Sequence, residues 1–288
     1  MSTTITEFDS SRLGQWGDPL EFAVERERAV AYAAATNDPT AAHLAGTYAP
    51  PVFAVVPALE TLVAAIATIV PGEVMMRGVH GEQDMVFHRP IEPDTTVTIR
   101  AVPLGIQVRS SGTIAVVKAE IRTASDELVN EQWMSYFVRG VTAAGSVGED
   151  MPHHGFDETL RTAGPVDTVA QQVDENQTYR YSEASGDPMP IHLDAEFAQA
   201  MGLPGIIAHG LCTMAFTSHA LIASRAGGDP TRLRRLAVRF AKPVLPGQRI
   251  TTAVYEANPT IDVDRFAYET ATDDGTVVIK DGLAEIRR

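Results

Sequence analysis

The chain repeats itself. Shifted by 149 positions, residues 32–43 lie over 181–192, and Tyr32, Ala35, Asp38, Pro39 and His43 meet identical residues, five of twelve positions. Shifted by 153, residues 87–94 fall on 240–247, so that Phe87, Pro90 and Pro93 meet Phe240, Pro243 and Pro246. Two landmarks in the same order with a drift of four residues mark an internal duplication. Whatever one copy folds into, the other must also be able to fold into. Two copies imply paired domains rather than a solenoid, and 288 residues give each copy about 140, an ordinary domain size.

Each copy has the same coarse order. The Asp-Pro segment comes first, then an apolar helical stretch (57–70 and 210–226), then runs rich in β-branched residues. Those runs are 95–102, 113–121 and 133–138 in the first copy, and 234–240, 249–256, 265–270 and 276–279 in the second. Alternation such as Thr-Val-Thr-Ile-Arg-Ala-Val predicts strands with one buried face. A helix followed by antiparallel strands is an α+β order, not a doubly wound one. The expected division is residues 1–141, a linker at 142–165 rich in glycine and paired charges, and residues 166–288.

Composition narrows the function. Apolar residues at 44% supply a core, and a formal charge of −14 argues against nucleic acid and anionic membranes as partners. One local exception stands out: Arg225, Arg232, Arg234, Arg235, Arg239 and Lys242 place six of 23 basic residues within 18 positions. Such a cluster suits the phosphates of an anionic small ligand. The single cysteine, Cys212, forbids an intrachain disulfide and fits a reducing compartment. Residues 1–16 lack a secretory pattern. The most apolar run, 51–70, is interrupted by Pro57 and Glu60 and is too short after them to cross a bilayer. The expected location is cytoplasmic.

The chemistry resides in Asp187 and His192, five residues apart, and in Gly210 at the expected start of the second apolar helix. An acid and a base can share the work of activating water and delivering a proton. A helix-start N–H favours a developing negative charge, and glycine lets a substrate approach the backbone closely. Pro188 and Pro190 restrict the intervening loop. Ser185, Met189 and His209 flank these groups and, with Arg234 and Arg239, are the candidate substrate contacts. Ser185 also suits a local turn bond, His209 a helix start, and Cys212 packing. The paired His153 and His154 lack the neighbours a metal site needs.

The run Ser185-Gly-Asp187-Pro-Met-Pro190-Ile-His192, followed by Gly202-Leu-Pro204-Gly-Ile-Ile-Ala-His209-Gly210, resembles the signature of MaoC-like (R)-specific enoyl-CoA hydratases, or hydratase 2. The segment Arg239-Phe240-Ala-Lys-Pro243-Val-Leu-Pro246-Gly247 resembles the strand and turn of the same family. The resemblance implies two tandem hot-dog folds, each a long helix wrapped by a curved antiparallel sheet. It implies reversible hydration of a trans-2-enoyl-CoA to a (3R)-3-hydroxyacyl-CoA. Asp187 and His192 would activate water and the Gly210 N–H would hold the thioester oxygen. No metal or redox cofactor is implied, coenzyme A being part of the substrate, and the chain would act as a monomer of two hot-dogs or as a homodimer. The family pattern commonly has Asn where this chain has Met189. The first copy keeps Asp38 and His43, but the offset of 153 sets Val56 and Pro57 opposite His209 and Gly210. Proline has no N–H to donate, so the first copy is expected to be silent and to wall the acyl chain. Two rivals remain open at this point: a hot-dog acyl-CoA thioesterase, and a non-catalytic acyl-CoA-binding subunit of a heteromeric dehydratase.

Overall fold

A computed structural model of the chain describes residues 5–288. In chain order the first elements are β1 (Leu20–Val24), α1 (Arg26–Ala35), α2 (Ala41–Leu44), α3 (Val55–Ala67), β2 (Gly78–Phe87), β3 (Thr95–Arg109), β4 (Gly112–Thr123) and β5 (Leu128–Arg139). There follow β6 (Val147–Gly148), α4 (Thr159–Ala163), β7 (Asp167–Gln172), α5 (Gln177–Ser185), α6 (Ala195–Ala200) and α7 (Gly210–Arg225). The chain closes with β8 (Leu233–Phe240), β9 (Arg249–Ala257), β10 (Val263–Thr272) and β11 (Val277–Arg287). The architecture is α+β, as expected.

Two compact units form, and they do not follow chain order. One comprises residues 5–22, Pro57–Val86 and Thr96–His153. In it the strands run β3-β4-β5-β2, with β3 and β4 paired from Val97↔Thr123 to Arg109↔Gly112. On α3, Ala58, Leu62, Ala65 and Ile66 are buried at helical spacing, giving the apolar stripe that an amphipathic helix packs inward. The sequence reading did not anticipate β2. Its Gln83 and Asp84 are polar yet fully buried, which hides the alternation. Gln83 donates to Gln132 Oε1 (2.9 Å), and Gln132 donates to Asn130 Oδ1 (3.1 Å), so the amide N–H groups stay hydrogen-bonded while buried.

The other unit comprises Ala23–Val56, Phe87–Thr95 and His154–Arg288. Its strands run β8-β11-β10-β9-β7, all antiparallel, and α7 packs on β7, β8 and β9. Every residue of α7 from Leu211 to Ile222 is buried, so the helix is enclosed on all sides rather than along one stripe. The strand expected at 276–279 extends to Arg287. A register irregularity falls between Lys280 and Leu283, and Asp281 adopts a left-handed φ of 54° there, which breaks the alternation.

In this unit the repeat becomes a contact. The hydroxyls of Tyr32 on α1 and Tyr181 on α5 lie 3.4 Å apart, with ring centroids at 5.5 Å. These tyrosines are counterparts at the offset of 149. A residue that touches its own counterpart lies on a local two-fold axis. The neighbouring bonds obey the same axis: Gln177 Nε2 donates to Ala35 O, and Arg28, its counterpart, donates to Ala184 O at 3.2 Å. Arg28 also donates to Ser185 O at 3.2 Å. Both tyrosines are buried, and Phe53 meets the Tyr32 ring edge-on at 5.5 Å. Replacing Tyr32 by Ala removes an aromatic ring from this seam and is expected to cost roughly 3–5 kcal/mol. Urea unfolding followed by fluorescence should show the midpoint falling accordingly.

Candidate active site

Asp187 follows α5 directly. Gly186, in the left-handed region (φ 81°), ends that helix with its N–H on Ser182 O and turns the chain away. The loop then braces itself: Asp187 N–H donates to Ser185 Oγ (3.3 Å), Ser182 Oγ donates to Asp187 O (2.7 Å), and Met189 N–H donates to Asp187 Oδ1 (3.2 Å). Pro190 opens the short 3-10 turn Pro190–His192 that carries the histidine. Ser185 thus makes the local bond its sequence context favours. Met189 is 44% exposed.

Two histidines complete the site, and carbonyl acceptors fix their tautomers. His192 Nδ1–H donates to Ile207 O (2.8 Å), and His209 Nε2–H donates to Asp187 O (3.2 Å). A carbonyl cannot donate, so in each neutral ring the other nitrogen carries a lone pair. The rings stack with centroids 3.8 Å apart at 26°, and Tyr181 packs on His209 at 4.8 Å. Burial lowers the pKa of His192 and takes that of His209 down to about 3, helped by the adjacent His192. The His209 lone pair at Nδ1 is buried without a partner.

Asp187, His192 and His209 each bring one ligand-type atom within 4.8 Å of the others, a spacing a cation could span. His209 Nε2 is already committed to the Asp187 carbonyl and Asp187 Oδ1 to the Met189 N–H, which leaves Asp187 Oδ2 and His192 Nε2 as the uncommitted pair. Gly210 is the first residue of α7, with His209 as N-cap, so its N–H lies outside the helical ladder. A Cβ on Gly210 would stand 3.2 Å from the Phe240 ring. The two arginines of the expected phosphate contact part company. Arg234 donates to Phe87 O (3.3 Å), whereas Arg239 is half-exposed with Asp281 at 3.7 Å. Their positions have opposite parity along β8.

The first copy's counterpart needs correction in one respect. Pro57 lies at the third position of α3, inside the helix rather than at its start. The helical run begins earlier, as a 3-10 turn at Pro51–Ala54 that leads into α3. One hydrogen bond fixes the equivalence: Ala49 N–H donates to Ile91 O (3.0 Å) and Ala208 N–H donates to Val244 O (2.7 Å). Pro50 and Pro51 therefore stand opposite His209 and Gly210. The donor is still missing, but at Pro51, because ten extra residues between the histidine and the helix of the second copy shift the register.

Asp38 and His43 form a buried cluster rather than an exposed turn. His43 Nδ1–H donates to Asp38 Oδ2 (2.6 Å), and His219 of α7 approaches the same oxygen at 3.1 Å. All three are almost fully buried. The histidine contacts hold the Asp38 carboxyl below its usual range against the opposing effect of burial. His219 escaped the sequence reading because nothing in an apolar helix marks one histidine as facing a residue 181 positions away.

Burial of neutral histidine has a pH consequence. A histidine whose folded pKa lies below its unfolded value of about 6.5 binds fewer protons folded than unfolded at acid pH. His192 and His209 therefore leave stability intact above about pH 6.5 and withdraw it as pH falls below that value. Asp38 adds its loss only below about pH 4. Urea midpoints measured from pH 7 to pH 4 should decline, and His209→Gln should flatten that decline. An identical slope in the variant would contradict this assignment.

The model of the MaoC-like domain matches residues 158–278, and that of the FAS1-like dehydratase domain region matches residues 11–132. The chain is 31% identical to 3-hydroxyacyl-thioester dehydratase Y of Mycobacterium tuberculosis over 72% of this chain and 71% of that protein. It is 27% identical to a probable enoyl-CoA hydratase 2 of Dictyostelium discoideum over 72% of this chain and 69% of that protein. In structure it resembles a MaoC-like dehydratase from Phytophthora capsici, with a TM-score of 0.83 and 22% identity over 94% of this chain and 95% of that one. The fold is the double hot-dog. With both halves matched and a relative above 30% identity spanned along most of its length, the chain belongs to the MaoC-like dehydratase family.

Proposed function

We propose that this hydro-lyase interconverts trans-2-enoyl-CoA and (3R)-3-hydroxyacyl-CoA at Asp187, His192 and Gly210. The observation that carries the reading is the convergence of a carboxylate and a histidine lone pair from one braced loop, beside the first N–H of α7. In hydration, water lies between Asp187 and His192 Nε2. Its oxygen bonds to C3 as an O–H bond breaks, the released proton rests on the Asp187/His192 pair, and C2 takes a proton from that pair. The site ends in its starting protonation state, and dehydration runs the same steps backwards. As C2 accepts density, charge grows on the thioester oxygen, where the Gly210 N–H and the start of α7 stabilise it.

His209 supports this arrangement by stacking on His192 and by holding the Asp187 carbonyl. In this reading Met189, exposed on the loop, meets the substrate and Arg239 a phosphate of coenzyme A, while Ser185, buried, braces the loop through Asp187 N–H. The first copy's start at Pro51 offers no N–H, and His219 occupies the oxygen of Asp38. It is therefore silent in this reading. The division at 142–165 and a cytoplasmic location belong to the same reading.

Crotonyl-CoA tests it. Its enoyl-thioester absorbance should fall without release of thiol, and chiral analysis should return the (3R) alcohol. Free coenzyme A would instead indicate hydrolysis, and tight binding without turnover a non-catalytic subunit. Asp187→Asn should lower turnover by about 10²–10⁴-fold. Asp38→Asn should lower stability, since it alters a buried bonded cluster, yet keep turnover per folded molecule within a few-fold. Equal losses of turnover at both positions would sink the assignment.

A further inference from the structure

The loop that carries Asp187 is held in place by a residue of the first repeat. Three bonds fix the Asp187 backbone: its N–H donates to Ser185 Oγ, and its carbonyl accepts from Ser182 Oγ and His209 Nε2. Two of the three start from the last turn of α5, so Asp187 stands where that turn stands. The last carbonyls of a helix have no partner within it, and the negative end of the helix dipole draws a cation there. Here one guanidinium meets two of them. Arg28 of α1 donates from Nε to Ala184 O and from Nη2 to Ser185 O, both at 3.2 Å. Its side chain is half-buried.

The repeat supplies an internal comparison. At the offset of 149, Arg28, Ala35 and Asn37 correspond to Gln177, Ala184 and Gly186. Both helices end in a left-handed residue, α1 at Asn37 (φ 52°) and α5 at Gly186 (φ 81°). Both ends are tied across the seam, that of α1 by Gln177 on Ala35 O and by Arg180 on Ala34 O. The first copy shows that asparagine serves at this turn, so conformation alone does not demand glycine at 186. A Cβ there would stand 3.0 Å from Arg28 Nη2. Bare backbone at 186 therefore belongs with the guanidinium at 28: the glycine admits the fork that the carbonyls receive. The turn tied this way leads to the partly exposed Asp187, whereas the turn tied by Gln177 leads to Asp38, sealed at 3% exposure.

We propose that Arg28 is a positioning residue for the reaction at Asp187. The inference rests on the hydration reading of that site. Arg28 touches no reacting atom. By fixing the Ala184 and Ser185 carbonyls it fixes the last turn of α5, and with it the Ser182 and Ser185 hydroxyls that hold the Asp187 backbone. The carboxylate is thereby kept at its distance from the water it shares with His192. A displacement of about 1 Å at a reacting group costs on the order of 10²-fold in rate, so the effect of Arg28 falls on kcat and not on substrate binding. The first copy, silent in hydration, thus contributes to it by placement.

Three variants of the intact chain test this with crotonyl-CoA. Arg28→Met keeps the aliphatic stem and removes the fork; it should lower kcat by about 10–100-fold and leave KM within about two-fold. Arg28→Lys, which keeps the charge but offers one donor centre, should fall between the wild type and Arg28→Met, and keeps the test open if the methionine variant fails to fold. Gln177→Met cuts the equivalent tie on α1 and should keep kcat per folded molecule within a few-fold, which separates a general loosening of the seam from misplacement of Asp187. Hydrogen exchange read by mass spectrometry reports the clamp without turnover: exchange across residues 185–192 should rise in Arg28→Met and stay near the wild-type rate in Gln177→Met. Wild-type kcat in Arg28→Met, or equal losses in the two methionine variants, overturns the proposal. A wild-type chain that does not hydrate crotonyl-CoA yet shows the exchange contrast would fail the hydration reading alone, and hydration without that contrast would fail Arg28 alone.

Discussion

The contact between Tyr32 and Tyr181 is the point from which the unit holding Asp187 and His192 is organised. Each ring fills the seam between α1 and α5, and each is buried too deeply to ionise readily. Because the two are repeat counterparts, a bond on one side of the seam can have an echo on the other. Arg28 reaching Ala184 answers Gln177 reaching Ala35. The seam also points toward the reacting groups. Tyr181 carries the His209 ring, His209 carries the His192 ring, and Asp187 follows two residues after the helix end that Arg28 ties down.

Electrostatics in the site follow from which atoms are already committed. Two backbone carbonyls decide where the imidazole protons are, and burial decides that the rings stay neutral. The lone pair that faces the reacting position is therefore a product of the surrounding backbone rather than of the histidine alone. The same logic explains the contrast between the copies. Both keep an aspartate and a histidine five residues apart, but in the first the carboxylate is consumed by His43 and His219. Asp38 is buried within its cluster, whereas Asp187 keeps partial exposure.

Much of this was legible in the order of residues. The repeat announced itself because Tyr, Asp, Pro and His recur at fixed spacing. The helix at 210 declared its start through His209-Gly210, and β3, β4 and β9 through their alternation. Other parts were hidden for identifiable reasons. β2 buries glutamine and aspartate where a strand pattern expects apolar residues. β11 loses its alternation where Asp281 turns left-handed. Pro57 attracted attention as the missing donor because a fixed offset ignores the ten-residue insertion before α7, and only the paired carbonyls of Ile91 and Val244 reveal that Pro51 holds the place. His219 is invisible in sequence because its partner lies in the other copy.

One feature bears on how such a gene can be cut. The compact unit that contains Asp187 and His192 also contains Ala23–Val56. A clone begun at the second repeat would carry the whole reactive loop and yet lack Arg28, Tyr32 and the tyrosine seam. The duplication has therefore ceased to be modular. The copies are not separable modules, because the unit that holds Asp187 and His192 takes part of its scaffold, Ala23–Val56, from the first repeat.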